Sequence, residues 1–462
     1  MYRLAIAGAG YNTMIVGVCF AEAGHQVSLL DADVNRIIDQ EEDGGSLAFE
    51  PDLLRLIKKH LAAGRLHFNP DYEAVCFEAD AIFIGGREDI PPDQQFINLA
   101  SILRKISDSV SKDSLVAIQA TIPVGTCDQL EQYFNELPAN GYRMEIVANP
   151  QFFSKGTAIR DTLYTGRIVI GTESDWAREL LSQIYKPFRA PILKVSRKSA
   201  EMIKVAANNF LAVKLSYMNE LANLCELSGA DIDEVTIGMS YDERIGSSFL
   251  GVGVGYGGYG IVSDTKSLME LAEGNEYGMK LVKAANEVNQ VQKLSLYRKA
   301  RGRLSDFKGK KIAILGLTYK PGTDDCKDAP SIENIRLLLE EGADIWAYDP
   351  VGIRNYKKIF PEGRNGNGYI TYTENSVDAL IDAEACFIFT GWGKIKAIKP
   401  DMYRKLMKAP LIFDGRNLYP IADMQNAGME YYSVGRKETK SREQELMFPA
   451  ELIYSRQLTI LG

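Results

Sequence analysis

Residues 3–13 read RLAIAGAGYNT, and this stretch decides how the first half of the chain is read. Leu4, Ala5, Ile6 and Ala7 form an apolar run that stops at Gly8 and Gly10, the pattern of a strand buried on both faces that ends in a tight turn. A helix-forming stretch follows to about Gly24. Then QVSLLD at 26–31 reads as a second strand that closes on Asp31. Strand, glycine turn, helix and strand open a parallel α/β unit. In such a unit Gly8 permits the turn, and Gly10 lets backbone approach a pyrophosphate at the N-terminus of the helix that Tyr11 begins. A carboxylate at Asp31 would hold a ribose 2′-hydroxyl and repel a 2′-phosphate, which points to NAD and away from NADP. Thr13 stands where this pattern has its third glycine, and a two-glycine turn alone is equally that of a unit that binds nothing.

Strand-like runs continue outward: ADAIFIG at 79–85, SLVAIQA at 114–120, MEIVAN at 144–149 and RIVIGT at 167–172. Residues 1–196 are therefore expected to form a doubly wound α/β domain. From 198 to 229 the chain has no proline and no glycine until Gly229, which predicts one long helix. It opens a helical stretch over 197–300. KKIAILG at 310–316, a helix over 331–341 and DIWAY at 344–348 begin a second α/β unit, expected over 301–436. A charged tail follows at 437–462.

Composition narrows the function classes. The 462 residues are 46% hydrophobic and 25% charged, an ordinary globular balance. No run reaches the roughly 20 apolar residues of a membrane helix, and the N-terminus lacks a signal-peptide pattern, so a cytoplasmic location is expected. The net charge of -8 argues against a nucleic-acid surface. Six cysteines without close pairing and three histidines predict reduced, buried thiols and no metal site.

Two further patterns are candidates for a site. Lys204 and Asn208 lie four apart and share a helix face, although such a pair by itself reads first as a solvated stripe. Six of the ten residues from 251 to 260 are glycine, interleaved with Val252, Val254 and Tyr256, which argues for an ordered loop that something approaches closely.

Taken together, the motifs resemble those of the nucleotide-sugar 6-dehydrogenases, the UDP-glucose/GDP-mannose dehydrogenase family. NPQFFSKGTAIRD…GRIVIG is similar to the family's NPEFLxEGxAxxD…DRIVIG, and ATIPVGT at 120–126 to its STVPVGT. KVAANNFLAVKLSYMNELANLCE, DERIGSSFLGVGVGYGG, YKPGTDDCKDAPS and AYDP resemble its central helix, sugar loop and C-terminal domain. The resemblance spans about residues 1–435. It implies two Rossmann-like doubly wound domains joined by a long central helix and a helical middle domain. It also implies NAD as cofactor, a nucleotide sugar (a UDP-sugar first) as substrate, and a homodimer or higher homo-oligomer.

Carried over residue by residue, the resemblance gives Lys204 and Asn208 the reacting C6 oxygen and Asp264 the positioning of a water or the lysine. Thr121 would lie beside the nicotinamide and the reacting carbon. Gln151, Tyr256, Gly257, Lys320 and Arg416 would face the substrate, and Arg244 would cross to a neighbouring subunit's site.

The departures are as definite. The family's GGSCFxKD is here Gly257-Gly258-Tyr259-Gly260-Ile261-Val262-Ser263-Asp264, so Gly260 stands at the nucleophilic cysteine and Ser263 at the lysine. Gln151 replaces the glutamate of NPEF, and Lys155-Gly156 replaces EG. Asn12-Thr13 replaces Val-Gly, and Gly85-Gly86-Arg87 replaces a loop that ends in Thr-Pro. Three readings follow: an oxidoreductase halted at the C6 aldehyde, a nonoxidising NAD enzyme such as an epimerase, and a nucleotide-sugar-binding pseudoenzyme.

Overall fold

The computed structural model describes residues 1–8, 10–30, 50–86, 92–135 and 142–439. Asp31 and Arg87 lie outside the described residues. The chain divides into two compact units, one of Met1–Phe210 with Tyr259–Met279, the other of Leu211–Gly258 with the residues from Lys280 onward. The helical stretch over 197–300 is thus shared between the two.

The first unit is built on eight strands: β1 (Arg3–Ala7), β2 (Gln26–Leu29), β3 (Leu66–Phe68), β4 (Ala81–Ile84), β5 (Ser114–Ile118), β6 (Met144–Ala148), β7 (Ile168–Gly171) and β8 (Ile192–Val195). They lie in the order β3-β2-β1-β4-β5-β6-β7-β8, all parallel to their neighbours except at β6/β7. The first six follow the doubly wound order in which the strand sequence reverses beside β1, and ligands of such sheets bind at that reversal. Alternation along β1 explains the two layers. Leu4 and Ile6 pack with Ile15 and Val18 of the Tyr11–Glu22 helix, while Ala5 and Ala7 face the opposite layer with Leu99 and Leu103.

The second unit repeats the plan with β9 (Lys311–Leu315), β10 (Asp344–Tyr348), β11 (Gly363–Asn365), β12 (Gly368–Thr373), β13 (Ala385–Ile388), β14 (Leu411–Asp414) and β15 (Glu430–Tyr432). Their order is β11-β12-β10-β9-β13-β14-β15, so this strand sequence also reverses, between β9 and β13. Ile312 and Ile314 enter one layer, Ala313 and Leu315 the other. The predicted helix over 331–341 is Pro330–Glu340, with proline in its first turn where no N–H is needed.

The predicted long helix is Arg197–Ser228. A cation at a helix start opposes the dipole, and here carboxylates neutralise it. Arg197 Nε donates to Asp128 Oδ1 at 2.8 Å, and its Nη2 to Glu131. No described helix is long and apolar enough to cross a membrane.

Candidate active site

The turn after β1 is shaped to hold a pyrophosphate. Gly8 has φ 103°, and a β-carbon there would come within 2.7 Å of the Gly85 carbonyl oxygen. Gly10 has φ 139° with open space around it, and no side chain caps the helix that begins at Tyr11. Uncapped first-turn amides beside bare backbone are what an anionic diphosphate requires, so this cradle fits NAD. Sequence reading assigns Tyr11 to the cofactor; its hydroxyl donates to the buried Glu50 carboxylate and accepts from Gly156 N at 3.3 Å. Glu50 also accepts from Ile159 N at 3.0 Å, so this pair anchors the 156–159 turn.

Glycine recurs where the neighbouring loops meet. A β-carbon at Gly86 would lie 2.9 Å from the Ala120 β-carbon, which lets the loop after β5 close in and brings Thr121 to the carboxyl end of the sheet. Glu201 holds that loop. Its buried carboxylate accepts from Gly125 N at 2.5 Å and Cys127 N at 2.8 Å, the start of the Thr126–Asn135 helix. It lies three residues before Lys204, one turn along the same helix, and burial raises its pKa against those backbone bonds. Sequence reading missed Glu201; its i, i+3 spacing to Lys204 was the available signal.

Lys204, Asn208 and Asp264 converge within the first unit. Asn208 Nδ2 donates to Asp264 Oδ2 at 2.5 Å, and Lys204 acts on the same carboxylate electrostatically. Asp264 is 1% exposed. Burial pushes it up to about 6 from its ordinary 3.8, with Lys204 and Asn208 opposing the rise. Its other oxygen, Oδ1, has no hydrogen-bond partner among the described residues. Asn209, also missed from sequence, donates to Val205 O at 2.8 Å and to Asp264 O at 3.1 Å. Adjacent asparagines therefore hold the side chain and the main chain of one aspartate. A buried carboxylate that titrates near neutrality beside an ammonium is suited to proton transfer.

Gln151 lies apart from those three contacts, in a small cleft with Asn149, Phe152, Thr165, Arg167 and Tyr185. Its Nε2 donates to Tyr185 Oη at 3.5 Å, and that hydroxyl donates to Asn149 Oδ1 at 2.5 Å. The amide thus donates a hydrogen bond where a carboxylate could only accept one. Next to it, the Phe152 ring receives Arg167 at 3.9 Å and Lys204 at 5.5 Å.

Gly260, which the sequence resemblance sets at the family's cysteine position, bears no side chain. This glycine is the second residue of the Tyr259–Gly274 helix and lies four before Asp264, on the same face. A β-carbon there would meet nothing within 4 Å. All six cysteines are buried and unpaired. Burial pushes the thiols of Cys19, Cys76, Cys127, Cys326 and Cys386 up, Cys76 to about 12. These are inert side chains, not thiolates.

In the second unit the glycine run is packed backbone. Gly253 N donates to Asn219 Oδ1 at 2.9 Å, and Gln292 Nε2 donates to Gly253 O at 2.7 Å. Asn289 pairs with both N and O of the buried Tyr256, at 2.9 and 3.1 Å. A β-carbon at Gly257 would come within 2.2 Å of Asp328 O, so only glycine fits. Asn289 and Gln292, three apart on the Lys280–Lys293 helix, were not singled out from sequence.

Arg416 reaches the same run. Its guanidinium donates to Phe389 O at 2.7 Å, Tyr319 O at 3.2 Å and Gly255 O at 3.4 Å. Burial lowers its pKa to about 10, still cationic at neutral pH. Lys320 is half-buried with its ammonium 5.8 Å from the Tyr319 ring. Arg244 is different: its side chain is 89% exposed and bonded to Asp242 at 2.9 and 2.6 Å. Asp349 closes DIWAYD in the sequence as Asp31 closes QVSLLD. It accepts from Leu317 N at 2.7 Å, Gly352 N at 2.7 Å and Trp392 Nε1 at 3.1 Å, so its carboxylate braces loops.

Comparison with known proteins agrees with both halves. Three models of the UDP-glucose/GDP-mannose dehydrogenase family match in order: the NAD binding domain over residues 2–189, the central domain over 198–291 and the UDP binding domain over 313–421. The UDP-glucose 6-dehydrogenase YwqF of Bacillus subtilis is 40% identical over 437 residues, 94% of this chain and 98% of that one. TuaD of the same organism, also a UDP-glucose 6-dehydrogenase, is 34% identical over 96% of this chain and 95% of its own. The structure of a UDP-glucose dehydrogenase from Pyrobaculum islandicum superposes with a TM-score of 0.83 at 28% identity, covering 95% and 98% of the two chains.

Proposed function

Because the chain belongs to the UDP-glucose/GDP-mannose dehydrogenase family and carries its NAD-binding and UDP-binding domains, we propose that it oxidises the C6 alcohol of a UDP-hexose and halts at the aldehyde. The observation that carries this reading is Gly260. The helix position one turn before Asp264 bears no side chain, and every cysteine of the chain is buried.

NAD, held over Gly8 and Gly10, supplies the hydride acceptor. The chain's own groups manage the proton and the oxygen. Lys204 and Asn208 hold the C6 oxygen, and the Lys204–Asp264 pair takes the hydroxyl proton as the carbon loses hydride. Thr121, set by the Glu201-braced loop, lines the approach to that carbon. Arg416, Lys320 and the run through Tyr256 and Gly257 hold the UDP-sugar. A second oxidation needs a nucleophile to make the aldehyde carbon tetrahedral. Gly260 offers none, and the Gln151 amide is not a base that could take a proton. Glucose is the favoured sugar, because the relatives at 40% and 34% identity are UDP-glucose enzymes.

The working form is a homodimer or larger, with Arg244 serving a neighbour's site. The long helix leaves Phe210, Tyr217 and Leu224 exposed at seven-residue spacing, a stripe that a second copy would cover.

The test is stoichiometry. Absorbance with limiting UDP-glucose, NAD and an aldehyde trap is expected to give one NADH per sugar. Two NADH per sugar and a uronate product would overturn the halt; no NADH with any UDP-hexose would overturn the oxidoreductase reading.

A further inference from the structure

Behind Arg416 lies a buried chain of polar groups in the second unit that the chemistry above does not use. Asp414, the last residue of β14, is fully buried. Its Oδ1 accepts from Arg416 N at 2.8 Å, and its Oδ2 accepts from Leu418 N at 2.8 Å and from the Tyr431 hydroxyl at 2.7 Å. Burial pushes its pKa up, and these three donors together with Arg436 oppose the rise. The Tyr431 hydroxyl in turn accepts from Arg436 Nη2 at 3.0 Å. Arg436 is 6% exposed and is itself held on several sides: Nε to Ser433 Oγ at 3.0 Å, Nη1 to Tyr419 O at 3.2 Å and to Asp233 Oδ2 at 3.3 Å. The segment that bears it is tied down at Gly435, whose N donates to Glu226 at 2.7 Å and whose O accepts from Ile232 N at 2.9 Å.

Two facts make this more than packing. Tyr431 and Arg436 fall after residue 421, where the match to the UDP binding domain ends, yet they complete the hydrogen bonding of the carboxylate that fixes the Arg416 turn. That turn also carries Gly415, whose carbonyl accepts from Val254 N at 3.0 Å, so the glycine run and the guanidinium are set by one strand end.

We propose that Tyr431 and Arg436 are positioning residues for nucleotide-sugar binding: their hydrogen bonds fix the Asp414 carboxylate, and Asp414 holds Arg416 and the glycine run in the binding arrangement. The inference rests on the reading of Arg416 as a contact of the UDP-sugar. Three donors, with a guanidinium beyond the tyrosine, favour the charged form of a carboxylate that burial disfavours. Remove the tyrosine donor and the carboxylate takes a proton at higher pH, weakening its grip on the two amides. The ionisable groups around Asp414 are Cys386 on β13, Tyr403, Tyr419, Tyr431, Arg416 and Arg436. Burial raises the thiol and the phenols, and Arg416 keeps its charge at neutral pH.

The experiment is calorimetric binding of UDP to the full-length protein between pH 5.5 and 8, on wild type, Tyr431→Phe, Arg436→Lys and Arg416→Ala, with NAD binding as the fold control. Tyr431→Phe is expected to weaken UDP about tenfold at neutral pH and to add a further loss toward pH 5.5, with NAD affinity unchanged. Arg436→Lys keeps the charge and is expected to fall between wild type and Tyr431→Phe. UDP affinity within about twofold of wild type at every pH in both variants, while Arg416→Ala is weakened, would overturn the inference alone. If Arg416→Ala binds UDP normally, the site reading fails and the inference with it.

Discussion

The side-chain oxygen of Thr13 occupies the place that a β-carbon at Gly85 would need: the two would be 2.3 Å apart. Thr13 replaces the glycine that ordinarily lets the first helix approach the sheet, and Gly85 supplies the missing room from the other side. The two positions therefore constrain each other beside the cofactor turn.

A double-mutant cycle measures that constraint. Gly85→Ala alone is expected to cost about 1–3 kcal/mol of stability through overpacking and to weaken NAD. Thr13→Gly combined with Gly85→Ala should recover most of both. Denaturant midpoints and NAD titration check it, and additive losses in the double variant would show that the sites do not couple.

Burial of Asp264 makes its ionised form costly to the fold. Its folded pKa of about 6 lies above its ordinary 3.8, so the folded state favours the protonated acid. This contribution to stability is present below about pH 4 and is lost as pH rises toward about 6. Asp264→Asn should therefore be about 1–3 kcal/mol more stable than wild type at pH 7.5, with the gain vanishing near pH 4, and should lack oxidation. In the wild-type protein kcat/KM should rise through about pH 6 as the carboxylate ionises. Thermal melts that show Asp264→Asn less stable at pH 7.5 would contradict the assignment.

Gly260→Cys tests the halt by building the absent group. The position has open space for the side chain and lies in the first turn of a helix, where a thiol's pKa falls. The variant is expected to form uronate and to raise the yield above one NADH per sugar, with stability unchanged or up by about 0.5 kcal/mol from the lost glycine. Iodoacetamide should label the introduced thiol in this variant and abolish only the second oxidation. Absence of uronate despite labelling would place the block elsewhere, with Gln151 and Ser263 the next positions to restore.

Arg416→Lys separates charge from geometry. One ammonium cannot reach the three carbonyls, of Phe389, Tyr319 and Gly255, that the planar guanidinium spans. KM for the UDP-sugar should rise about tenfold or more, a loss of about 1.5–3 kcal/mol, while KM for NAD stays put. Equal changes in both KM values would mean a general loosening of the fold.

Much of this protein is legible in its sequence because short-range rules govern it. The apolar run before Gly8, the glycine-free span to Ser228 and DIWAY at 344–348 specify strand, helix and strand through periodicity and propensity alone. Lys204 and Asn208 share a face because four residues are close to one helical turn. The absence of a thiol at position 260 is likewise a fact of the sequence. What short-range patterns left open is every relation between distant segments. Whether Lys204 and Asn208 formed a site or a solvated stripe depended on Asp264, some sixty residues away, arriving beside them and being stripped of water. The bond from the Tyr11 hydroxyl to buried Glu50 likewise joins residues 39 apart. Thr13 is tolerated because Gly85 faces it, and Arg416 is held by Asp414, Tyr431 and Arg436 through hydrogen bonds that no local pattern encodes. Local sequence sets backbone conformation; desolvation and contact between remote side chains, which decide protonation and position, exist only once the chain has folded.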